Sequence, residues 1–216
     1  MIRTAPEGRW FIAGAWAIAL ALLIVAVRSG SVTWWIVAAV WVALSAWVVA
    51  FFRDPERAWS TGEHMVVAPA DGKVVSVVET DEPAFLCDRA LRISIFMNVF
   101  DCHVNRYPVS GTVAYRHYNA GKFGHAGAEK SSLVNEQSSV GVVAARGKVL
   151  IRQIAGLVAR RIVTDHHVGA VVHQGQRLGM IRLGSRVDLF LPAGTRTLVA
   201  VGDTTIAGVT VVAEWS

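Results

Sequence analysis

Ser185 is the residue through which this chain could build its own reactive group. It follows Gly184 in Leu183-Gly184-Ser185-Arg186. A glycine leaves the carbonyl ahead of the serine unshielded and opens backbone conformations that other residues avoid. Strain of that kind favours attack by the Ser185 hydroxyl on its own preceding carbonyl. Elimination across the resulting ester would convert residue 185 to dehydroalanine and then to a pyruvoyl group. Gly-Ser alone is most often a turn, so this chemistry depends on what accompanies it.

Asp71 and His103 are the side chains that would accompany it. Asp71 sits in Ala68-Pro69-Ala70-Asp71-Gly72, where Asp-Gly is an ordinary turn pair. The same carboxylate would also suit the orientation of a histidine, as in a triad. His103 lies in Asn98-Val99-Phe100-Asp101-Cys102-His103-Val104-Asn105-Arg106-Tyr107-Pro108, which sets polar groups between apolar runs. That placement is costly unless the groups are used or hydrated. If a strand runs through it, alternation puts Asp101, His103 and Asn105 on one face. His166 and His167 are adjacent, so on a strand they point to opposite sides, and both read as loop residues. His173 is a reserve candidate. With no HExxH, no Cys/His cluster and no phosphate-cradling glycine loop, neither a metal nor a nucleotide is expected. Cys87 and Cys102 have no metal-type spacing and fit a reducing compartment.

The elements that must position these residues fall into two parts. Hydrophobic residues make up 53% of the 216, and the excess is local. Trp10 to Val27 and Ser29 to Phe52 contain no charge, each near the roughly 20 residues that cross a hydrocarbon core. Both runs are apolar all round with no polar stripe, which argues against two buried core helices. We therefore expect residues 1–52 to be a membrane anchor, with helices at about 10–27 and 33–52 joined by Arg28-Ser29-Gly30-Ser31. Arg3, Arg9, Arg53 and Arg57 flank the hairpin while its turn holds only Arg28, so the positive-inside bias puts both ends in the cytoplasm. Residues 53–216 alternate short β-rich runs with Gly and Pro, with candidate strands at 65–68, 72–78, 91–96, 111–118, 139–145, 149–155, 160–163, 187–191 and 209–214. The fold class expected is mainly β, a compact sandwich or barrel-like catalytic domain. Residues 121–135 read as a polar, Gly-rich loop of the kind found beside ligand sites. The part after the hairpin carries 18 Lys and Arg against 15 Asp and Glu, a charge of +3, and that mild basicity suits anionic lipid heads. No basic run interleaved with aromatics suggests nucleic acid.

These residues resemble the phosphatidylserine decarboxylase proenzyme family in its short, two-helix bacterial form. The resemblance runs through Phe51-Phe52-Arg53-Asp54-Pro55-Glu56-Arg57, Ala68 to Gly72, Ser94 to Gly111, Gly121-Lys122-Phe123, Asn135-Glu136, Arg152 to Gly156 and Gly175 to Ser185. It implies autocleavage between Gly184 and Ser185 into a β chain, 1–184, and an α chain, 185–216, that begins with a pyruvoyl group. It implies an Asp71-His103-Ser185 arrangement for maturation, with His103 as the general base. It further implies decarboxylation of phosphatidylserine to phosphatidylethanolamine and CO2 through a Schiff base with that pyruvoyl cofactor. Two departures stand out. Where longer members carry His-x-x-His, this chain has His103 and Arg106, and Arg186 replaces the threonine that follows their serine. Arg106, Lys122 and Arg152 are candidates for the lipid phosphate. The implied partners are a membrane phospholipid and the two chains of one precursor at the bacterial inner membrane, with homo-oligomerisation open. The alternatives are a pyruvoyl decarboxylase of a soluble amino acid and a non-enzymatic membrane-anchored β-rich adaptor.

Overall fold

The computed structural model describes residues 3–58, 62–121, 135–156, 161–182 and 185–215. The chain divides into two compact units, Met1–Glu56 and Arg57–Ser216. In the first, helix α1 (Arg9–Ser29) and helix α2 (Val32–Phe51) form an antiparallel hairpin. At about 1.5 Å per residue each is close to 30 Å long, the thickness of a hydrocarbon core. Gly30 caps α1 at φ +63°, and its N–H bonds to the Ala26 carbonyl, so two residues suffice to reverse the chain. The helices meet on small residues, Ala19, Ala26, Ala38 and Ser45, all fully buried. Trp41 Nε1 (2.9 Å) and Ser45 Oγ (3.1 Å) both donate to the Ala15 carbonyl and fix the register. Trp10, Leu20, Val32, Ile36 and Val40 stay exposed. Both helices are long and apolar enough to cross a membrane.

The second unit is mainly β, as the alternation in the sequence predicts. Its strands are β1 (Met65–Val67), β2 (Gly72–Glu82), β3 (Asp88–Met97), β4 (Val104–Arg106), β5 (Gly111–Asn119), β6 (Gln137–Ala144) and β7 (Gly147–Ala155). They continue as β8 (Ile162–Thr164), β9 (Val171–Val172), β10 (Arg177–Ile181), β11 (Ser185–Pro192), β12 (Arg196–Thr197), β13 (Thr204–Thr205) and β14 (Val211–Glu214). Among the described residues, one eight-stranded sheet in the order β13-β2-β3-β11-β7-β6-β5-β9 curls into a half-barrel. Two three-stranded sheets accompany it, β1-β14-β12 and β4-β10-β8.

Strand β11 lies in the middle of the large sheet, between β3 and β7, and both of its faces are buried. One face, with Val187, Leu189 and Leu191, joins Ile93, Ile95, Met97, Ile151 and Ala155 in the main core. The other carries Arg186, Asp188 and Phe190, the last packed on Phe85, Ala90 and Leu150. The β2–β3 hairpin runs further than its apolar stretch suggests. Buried Glu82 caps the turn by accepting the N–H groups of Ala84 (3.3 Å), Phe85 (2.8 Å) and Leu86 (2.9 Å). Strand β10 is absent from the sequence-derived strands, because Gly179 interrupts its apolar alternation. Gly179 is there because a Cβ would lie 2.0 Å from the Val163 carbonyl oxygen of the neighbouring β8.

Candidate active site

Ser185 opens β11 directly opposite Met97 of β3 and Ala155 of β7. Directly opposed residues in antiparallel strands project to the same face, so the hydroxyl points with Met97 and Ala155 into the main core. It is fully buried, and Ser185 Oγ has no hydrogen-bond partner among the described residues. An orphaned buried hydroxyl carries a desolvation cost of about 1–3 kcal/mol and calls for a reason. A pyruvoyl group derived from residue 185 would be small and uncharged, and Met97 and Ala155 suit it. Gly184 lies outside the described residues.

His103 approaches from the β3–β4 connection. That connection is a tight turn in which Asp101 Oδ2 accepts the Asn98 N–H (2.8 Å) and Asn98 Oδ1 accepts the Phe100 N–H (2.8 Å). The chain then turns inward, and Cys102, His103, Val104 and Asn105 are all buried. The His103 carbonyl accepts the N–H of Ile181, extending the β4–β10 ladder by one residue. Ile181 is only four positions before Ser185. His103 Nδ1 lies 3.1 Å from the Asp101 carbonyl oxygen. A carbonyl only accepts, so Nδ1 carries the hydrogen and Nε2 of the neutral ring holds the lone pair of a base.

A chain of buried polar side chains borders the same corner. Ser138 Oγ is 2.9 Å from Thr164 Oγ1, which donates to Gln153 Oε1 (3.0 Å). Gln153 Nε2 donates to Asn105 Oδ1 (2.8 Å), and Asn105 Nδ2 donates to Met97 Sδ (3.6 Å). Gln153 and Asn105 are fully buried. Alternation along β4 and β7 puts Asn105 with His103 and Gln153 with Ala155. Sequence reasoning placed Asn105 on the face of His103 but gave it no role, and it left Gln153 and Thr164 aside. Register with β6 and β10, which no local pattern carries, brings them together.

The other candidates lie elsewhere. The Asp71 carboxylate takes Arg57 bidentately (2.6 and 2.7 Å), and its Oδ1 also accepts the Ala207 N–H (2.8 Å). Arg57 Nη1 donates to the Ala207 carbonyl as well (2.9 Å). The His103 ring thus meets the Asp101 carbonyl through Nδ1, while Asp71 ties Arg57 to the 207 turn. Arg106 is buried and donates to the Gly175 carbonyl (3.2 Å). Arg152 pairs with Asp188 in register, on the face of β11 opposite to Ser185. It donates to Ser139 Oγ (3.3 Å), approaches Glu82 Oε1 (3.5 Å) and covers the Phe190 ring. Arg186 forms a buried ion pair with Asp188 on that same far face, 2.9 Å between Nε and Oδ1. Lys122 lies outside the described residues. His166 bonds Gln176 (3.0 Å) and meets the Tyr107 ring edge-on.

Residues 44–213 match the family model for phosphatidylserine decarboxylase. The chain is 46% identical over 209 residues to a phosphatidylserine decarboxylase proenzyme of Symbiobacterium thermophilum, covering 96% of this chain and 94% of that one. It is 43% identical to the proenzyme of Ruegeria pomeroyi, covering 97% and 94%, and 43% identical to that of Nitrosomonas europaea, covering 98% and 94%. With a buried serine heading the central strand and a histidine beside the strand that leads to it, the chain belongs to the phosphatidylserine decarboxylase family.

Proposed function

We propose that the chain is a self-processing, membrane-anchored enzyme that converts phosphatidylserine to phosphatidylethanolamine and CO2. The observation that carries this is Ser185, a fully buried hydroxyl without a partner among the described residues, at the head of a strand buried on both faces. A serine so enclosed is poorly suited to attack an incoming substrate and well suited to react with its own chain.

In maturation His103 removes the hydroxyl proton through Nε2, its ring held by the Asp101 carbonyl. Oγ bonds to the Gly184 carbonyl carbon, the Gly184–Ser185 C–N bond breaks, and the Ser185 nitrogen takes up the proton. Loss of the Ser185 Cα proton then expels Oγ with the Gly184 carboxylate, and hydrolysis of the remaining enamine releases ammonia. The resulting pyruvoyl group would supply an electrophilic carbonyl for the substrate amine and a sink for the electron pair left behind by CO2. Met97 and Ala155 give residue 185 an apolar seat, and His103, whose carbonyl accepts the N–H of Ile181 four positions before Ser185, is the proton carrier. Arg152 and Arg106 belong to the framework, since their guanidinium groups are engaged by Ser139 and Gly175. Helices α1 and α2 span the bilayer, and the arginines flanking them favour a cytoplasmic position for residues 57–216. A diacyl lipid stays in the membrane, which gives the tether its purpose.

The test is conversion of labelled phosphatidylserine in vesicles by the full-length protein. Wild type yields phosphatidylethanolamine and Ser185→Ala yields none. Absence of product from a wild type that has split at Gly184–Ser185 would point instead to another amino-acid substrate.

A further inference from the structure

Two buried polar groups border Met97. One is Ser185 Oγ, buried and without a partner among the described residues. The other is the Asn105 amide. Asn105 Nδ2 has two hydrogens, and among the described residues its bond runs to the thioether of Met97, a weak acceptor at 3.6 Å. Asn105 is fully buried, so its amide is shielded from bulk solvent.

The direction of the amide is fixed by chemistry. Met97 Sδ accepts but cannot donate, so it requires the NH2 side of Asn105, and Oδ1 must then face Gln153 Nε2. Gln153 Oε1 in turn needs a donor and has Thr164 Oγ1, whose hydrogen is thereby committed, leaving Ser138 to donate to Thr164. Flipping Asn105 would turn an oxygen onto the Met97 sulfur, and flipping Gln153 would turn one onto Asn105 Oδ1. The run from Ser138 to Asn105 is therefore polarised one way, and it ends on an NH2 group. Register places that end. Met97 is the direct cross-strand partner of Ser185, and Gln153 is the diagonal neighbour next to its other partner, Ala155. Cross-strand partners have Cβ atoms about 5 Å apart and diagonal ones about 7–8 Å. Asn105 touches both, so it lies over the Ser185 corner of the sheet.

We propose that Asn105, held by Gln153 and Thr164, is the hydrogen-bond donor to Ser185 Oγ during maturation, and that its main work is in the elimination step. This rests on self-cleavage at Ser185. In the ester intermediate Oγ bridges the Gly184 acyl carbon and Ser185 Cβ. Elimination removes the Cα proton to a base and breaks the Cβ–Oγ bond. The bonding pair stays on Oγ, which departs as part of the Gly184 carboxylate. Negative charge grows on Oγ only in this step, so a fixed N–H aimed at it stabilises the transition state more than the ester.

The test follows maturation of the full-length protein in detergent by intact mass. Wild type passes to the pyruvoyl form without accumulating ester. Asn105→Leu slows elimination by about 100-fold, the loss typical of one preorganised donor. Ester then builds up, and hydroxylamine cleaves it to give an α chain that begins with unmodified serine. Asn105→Asp keeps the acceptor for Gln153 and removes the donor, so it gives the same ester and guards against misfolding of the leucine variant. Gln153→Met leaves the NH2 in place but unanchored and gives a smaller slowing. If wild type cleaves and both Asn105 variants mature at its rate, or slow without hydroxylamine-sensitive ester, Asn105 is not this donor. If wild type does not cleave at all, self-processing itself fails.

Discussion

The Arg57–Asp71 pair separates two roles for a carboxylate that the sequence alone could assign to His103. Both Asp71 oxygens bond Arg57, at 2.6 and 2.7 Å, with the side chains only 12% and 14% exposed. Removing one partner of a buried pair costs about 3–5 kcal/mol, mostly through the charge left behind. The residual exposure puts this pair at the lower end, about 3 kcal/mol. For Asp71→Ala, a domain of this size should lose about 6–12 °C in Tm, at roughly 2–4 °C per kcal/mol. Arg57→Met should fall by a similar amount, and the double variant by little more than either single. The expected coupling is about 2–3 kcal/mol. Near-UV circular dichroism of the Ser185→Ala background in detergent measures all four proteins without interference from cleavage. Cleavage rates, measured without the Ser185→Ala change, should fall together in Asp71→Ala and Arg57→Met. Additive stabilities within about 0.5 kcal/mol would refute the pairing. So would an Arg57→Met that cleaves normally beside an inert Asp71→Ala, which would return Asp71 to His103.

Other consequences are equally direct. Burial pushes the Tyr107 hydroxyl up to about 12, against an opposing pull from Arg116 and with a further push from Asp165. A tyrosine whose folded pKa is raised holds its proton more tightly when folded, so its contribution is intact below about pH 10 and is lost as pH rises from about 10 to 12. Stability should fall by about 2–3 kcal/mol across that window at about 1.4 kcal/mol per unit. Tyr107→Phe should flatten the fall in an alkaline unfolding series while costing little at pH 7, because the hydroxyl has no bond among the described residues. An unchanged alkaline profile would refute this. Gly179→Ala should lower stability by about 2–4 kcal/mol and delay cleavage, since the new Cβ must push β8 away from β10. A normal melting temperature would show that the two strands do not pack as described.

The sequence was most readable where chemistry is local. Two uncharged runs became α1 and α2 within a few residues, and alternating Val, Ile and Leu located most strands of the second unit. The turn at Gly30 followed from Arg-Ser-Gly-Ser. Long-range partners were not readable. Asp71 looked available to His103, but a residue fourteen positions earlier, Arg57, claims it through the fold. Arg152 looked like a phosphate ligand, yet strand parity sends it to the far side of β11. Strand β10 was hidden because the glycine that lets β8 approach also erases the alternation that would mark a strand. Asn105, Gln153 and Thr164 come from three separate strands, and only sheet register joins them.

The most direct measurement is the intact mass of the protein purified from membranes. Self-processing predicts two fragments, 1–184 and 185–216, the second lighter than a serine-initiated chain by one molecule of ammonia. Ser185→Ala should run as a single uncut chain. A wild type recovered whole, or one cut elsewhere, would contradict the conversion of Ser185 on which the mechanism depends.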